Sequence, residues 1–354
     1  MPLMRQGRTD LDFLGAVIHG RRSRLAEAER LDALCRIRTV GELVRAVAPE
    51  GGVETVADFQ RRLVADLVRE LTDIAHQTDG AVNDLLAWLC VRFQVENLKV
   101  LARGFATKSA PEDVRAHLIS LPGVADLDVA AFVGAPSLED FAALVPEKAL
   151  REGVLAAAEV YRKHARSFFL EAGLDRGYLG RLVALARPLS EEDGVSVLSL
   201  AVQEVDTFHL MLVARGRFQY GLKPDVLAPF RVPGAGADEA EFSAMLAAAD
   251  LAEAVRIGGR RALEKSAVAG LAGGSAGIDP ADLEALAHDR YFRIANAVFR
   301  RSHMGFGAVA AYAAIRRVEL ANLITLSEGI RVGVAPEAIR QRLIPRSPGG
   351  RSRV

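Results

Sequence analysis

Asp206 and His209 stand three residues apart, the D-x-x-H spacing with which one helix can offer a carboxylate and an imidazole to a metal ion. Residues at this spacing share a helix face and can act together. A helical di-iron centre also needs a second such pair and further carboxylates on facing helices. The same register elsewhere holds Gln94 with Asn97 and Glu319 with Asn322, and amides are poorer ligands. A metal-dependent helical enzyme is therefore the weakest reading. The glycine-rich "GLAGGSAGID" at 270–279 lacks the GK[ST] of a phosphate loop and follows no strand, so it reads as a linker before an Asp279 cap. "SLEDF" and "LSEEDG" lack the form of aspartate-rich magnesium motifs, and no GxSxG elbow occurs. The remaining histidines are scattered; His288 follows Glu284 by one helical turn, as in a surface pair. No catalytic, cofactor-binding or metal-binding residue is assigned.

The elements that must carry these pairs are helices. Val56, Phe59, Leu63, Leu67, Leu71 and Ile74 step by three or four, the spacing of one buried stripe. Thr39 with Glu42, Ser137 with Asp140 and Ser190 with Asp193 have the form of N-caps, and Asp279-Pro280 adds a cap followed by proline. Alternating strand patterns are scarce, so the expected class is all-α. Lys plus Arg equals Asp plus Glu at 45 each, which gives no global field to attract nucleic acid or anionic lipid. Cys35 and Cys90 are too few for a disulfide framework and lack zinc spacing, so core-filling thiols in a reducing compartment are expected. No apolar run reaches 18 residues, and the N-terminus lacks a signal-peptide pattern.

The polar pairs recur because the chain repeats. "QVENLKVLARGFATKSAPEDVRAHL", "DTFHLMLVARGRFQYGLKPDVLAPF" and "ELANLITLSEGIRVGVAPEAIRQRL" align on Gly104, Gly216 and Gly329. Asn97, His209 and Asn322 each lie seven residues before their glycine, and Gln94, Asp206 and Glu319 three residues earlier still. Beyond each glycine a proline and an acid open a short helix: Pro111-Glu112, Pro224-Asp225 and Pro336-Glu337. The glycines are expected to end the long helices in the left-handed conformation. Each signature helix is expected to pair with a preceding long helix, at about 53–77, 149–172 and 279–302. The implied organisation is repeat 1 at 1–122, repeat 2 at 123–234, repeat 3 at 235–346 and a basic tail at 347–354. Polar pairs inside apolar stripes are either buried structural joints or the lining of a cavity, and the general pairing of buried polar groups favours the joint.

These features resemble the C-subunit family of the A-/V-type rotary ATPases, whose eukaryotic counterpart is the d subunit. The resemblance rests on "NLKVLARG", on "NLITLSEGIRVGVAPEAIRQRLI", on "GRRSRLAEAERLDAL" at 20–34, and on three repeats covering nearly the whole chain. It implies a funnel of three pseudo-equivalent helical bundles, with no catalytic residues and no cofactor. It also implies a peripheral place on the cytoplasmic face of the membrane. There such a rotor part couples the central-stalk subunits of the ATP-hydrolysing head to the proteolipid ring, for proton or sodium transport. The family's acid-or-amide and asparagine pattern falls on Gln94 and Asn97 and on Glu319 and Asn322; His209 replaces asparagine in the middle repeat, and Gln94 departs from an acid. The rival reading is a generic helical adaptor that uses its repeats as a binding scaffold.

Overall fold

The computed structural model describes residues 10–49, 55–124, 126–192, 196–272 and 277–345, so the basic tail lies outside the described residues. Within them every regular element is helical and no strand is present. The chain divides into two compact units, one built from residues 1–86 and 291–354, the other from 87–290.

In the first unit the third signature helix, Phe306–Arg331, packs on Leu11–Arg22, on Val40–Val47 and on Val56–Ala75. The predicted stripe on Val56–Ala75 is buried from Phe59 to Ile74. Each such large side chain contributes about 1.5–3 kcal/mol through burial. Thr55 caps this helix by accepting the Asp58 N–H at 3.1 Å, and Thr39 does the same for Glu42 at 3.3 Å. Cys35 fills core space, and burial pushes its thiol pKa up.

In the second unit the middle signature helix, Ser196–Met211, continues into a π-helical turn at Leu212–Gln219. Its long partner is Ser167–Glu192, which corrects the expected run at 149–172. That run is broken into Lys148–Ala156 and Ala158–His164, and the chain then turns at Ala165 with φ of 51°. Alanine in the left-handed region is strained and carries none of glycine's sequence signal, which is why the turn escaped the periodic reading. Beyond it Gly173 and Gly177 lie against Gly153 and Ala149 of Lys148–Ala156, so close that a Cβ on Gly153 would stand 2.1 Å from the Gly173 carbonyl oxygen. Ser190 lies inside the long helix and is not a start, while Asp193 is outside the described residues. Ser137 caps Leu138–Ala143 as expected, and Pro280 opens the helix Pro280–Ser302 behind Asp279. Trp88 is a core anchor: its indole N–H donates to the Tyr178 carbonyl at 3.0 Å and its ring stacks on Tyr178.

Candidate functional site

The first signature helix, Gly80–Thr107, and the third use their asparagines identically. Asn97 donates from Nδ2 to the Ile119 carbonyl at 2.7 Å and accepts the Ile119 N–H on Oδ1 at 2.9 Å. Asn322 makes the same two bonds to Ile344, at 2.6 and 2.9 Å. A primary amide has one donor side and one acceptor side, so it can pair with a peptide unit in both directions. Both asparagines are buried, and each clamps the chain 22 residues further on.

His209 fills the same place with one bond instead of two. Its Nε2 accepts the Val232 N–H at 2.9 Å, 23 residues on. Since Nε2 is the acceptor, a neutral ring carries its proton on Nδ1, which is buried without a partner. Burial first, and the nearby Arg231 charge second, hold the imidazole pKa down to about 3. The extra residue in this repeat is taken up locally. Ser109 and Val334 donate to the carbonyls of Gly104 and Gly329 five residues back, whereas Leu222 reaches six back to Gly216. A π-turn is the usual way for a helix to absorb one added residue.

The second member of each pair faces backbone N–H groups in two of the three repeats. Asp206 accepts from Ala237 at 3.0 Å and from Gly236, yet burial outweighs these bonds and its pKa rises to about 6. Glu319 accepts the Ala26 N–H at 2.5 Å and pairs through its other oxygen with Arg316. Arg316 also meets Glu70 at 2.9 Å, and Tyr312 donates to the same carboxylate. Burial opposes the Arg316 charge, but Glu319 and Glu70 outweigh it and keep the guanidinium protonated. Gln94 is buried beside a cleft of about 320 Å³ whose walls include Asn97, Arg115, Ile119, Val124 and Asp126.

The three signature glycines depart from expectation. None has positive φ; the left-handed residues are Lys108, Gly221 and Gly333, four or five positions later. Gly104, Gly216 and Gly329 lie within helical turns and admit the short helix that follows. A Cβ at these positions would stand 2.6 Å from Val114, 2.8 Å from Leu227 and 2.7 Å from Ile339. The geometry common to the three is close approach, not helix termination.

A family model described as "ATP synthase (C/AC39) subunit" matches residues 14–342, nearly the whole described chain. The chain belongs to that family. That family is one of ATP synthase subunits. A similar curated protein is the C subunit of the A-type ATP synthase of Haloferax volcanii, 25% identical over 118 residues. The alignment takes in 33% of this chain and 34% of that protein, so it spans about a third of the relative's length. In this C/AC39 chain the D-x-x-H pair has its acceptor atoms turned to backbone N–H groups. Among the described residues no three His, Cys, Asp or Glu side chains gather in a way that could hold a metal ion. Sequence reasoning missed the clamped residues Ile119, Val232 and Ile344. Their signal was legible: a β-branched residue at near-constant offset, followed in two cases by Pro233 or Pro345.

Proposed function

We propose that this chain is a non-catalytic central-stalk component of an A-/V-type ATPase. In this reading it joins the stalk of the ATP-hydrolysing head to the membrane proteolipid ring and turns with them, serving proton or sodium transport. Its place is peripheral, on the cytoplasmic face. The repeats at 1–122, 123–234 and 235–346 form three pseudo-equivalent bundles of a funnel. The observation that carries the reading is the family match over 14–342, together with Asn97, His209 and Asn322 bonding to backbone. Torque transmission needs stiff helical bodies, and a side chain that pairs fully with a peptide unit locks the chain after each long helix without offering a reactive group. The likeness to a protein named as the C subunit of an A-type ATP synthase supports the same assignment. An affinity tag on this chain, followed by mass spectrometry of the membrane fraction, tests it. Stalk and proteolipid proteins should co-purify in fixed proportion; their absence, with the tagged chain recovered alone or with unrelated proteins, would favour the adaptor reading.

A further inference from the structure

The acid of each of the two later polar pairs holds more than a loop. Ala237, bound by Asp206, and Ala26, bound by Glu319, are each followed by an acid, Asp238 or Glu27, at the N-cap of a helix, Glu239–Ala247 or Ala28–Cys35. Thirteen residues past each alanine comes a second cap, Asp250 or Thr39, accepting the N–H of an acidic residue three further on. Repeat 2 opens on a shorter version of the series: Asp128 caps Val129–Val133, and Ser137, nine residues on rather than twelve, accepts from Asp140. In every case the proline-led short helix packs on the first helix of such an arm: Pro111–Arg115 on Val129–Val133, Pro224–Leu227 on Glu239–Ala247, and Pro336–Arg340 on Ala28–Cys35. The first two arms follow their signature helices in the sequence. The third signature helix holds the arm that comes earliest, 293 residues away.

We infer that residues 26–47 are a latch, the leading arm of the first repeat docked on the third signature helix through Glu319. Both stretches fold into one compact unit, and Arg340 adds an ion pair to Asp32 of the arm at 2.6 Å. The arm buries Leu31, Leu34, Leu43 and Val44, and its polar holds are Ala26 on Glu319 and Asp32 on Arg340; losing the first loosens the arm as a body while Phe306–Arg331 stays wound. Hydrogen exchange on the full-length chain tests this. Glu319→Gln should speed exchange over residues 26–35 at least tenfold and leave the centre of 306–331 at wild-type rates. Asp206→Asn should do the same over 237–247 and leave 26–35 alone. The latch is refuted if Glu319→Gln speeds 306–331 as much as 26–35, if it leaves 26–35 unchanged, or if both Glu319→Gln and Glu319→Ala fail to fold.

Discussion

A buried histidine with one unpaired nitrogen and a buried aspartate three residues away pull stability in opposite directions with pH. The folded-state pKa of His209, about 3, lies below its ordinary 6.5, so its contribution is present above pH 6.5 and is lost as pH falls toward 3. The folded pKa of Asp206, about 6, lies above its ordinary 3.8, so its contribution is present below pH 3.8 and is lost as pH rises through 6. Between about pH 4 and 6 the two partly cancel. Asp206→Asn should therefore make unfolding midpoints climb more steeply with pH than wild type, and His209→Asn should flatten or reverse the climb. Denaturant titrations at several pH values check this, and parallel curves for all three proteins would refute it. Truncating Asn322 to Ala leaves the Ile344 peptide unpaired in the interior, so the expected cost is about 1–3 kcal/mol. Thermal melting reads that cost; an unchanged melt would assign Asn322 to a contact role instead.

Helix contacts are set by where side chains are missing. Gly153→Ala should force Lys148–Ala156 away from Ser167–Glu192 and destabilise by about 1–3 kcal/mol or more, because the new Cβ meets backbone. Gly180→Ala, on the same long helix but with nothing within 4 Å, should stabilise by about 0.5–1 kcal/mol. Urea unfolding distinguishes them, and a similar sign at both positions would contradict the close-approach account. These elements also mark what was legible in the sequence. The stripe from Phe59 to Ile74 and the caps at Thr39, Ser137 and Asp279 follow from local rules that hold with or without tertiary context. The turn at Ala165 and the role of Gly104, Gly216 and Gly329 depend on what lies opposite, and periodicity carries no such information.

At the scale of the molecule, repetition was readable because identical spacing left identical residue types at Asn97 and Asn322. What those residues bind was not, since Ile119 and Ile344 lie 22 positions away and Ala26 lies 293 from Glu319. The polar pairs organise backbone, and the proposed coupling role asks nothing further of them. Glu319→Ala should accordingly lower the stability of its own unit while leaving ATP hydrolysis by the detached head unaltered. The most direct test is to remove this protein from membranes and measure ATP hydrolysis and ion uptake together. The account predicts that hydrolysis persists, that ion uptake driven by it falls to background, and that adding back the purified chain restores uptake. Ion uptake that continues at the original rate without it would contradict the account.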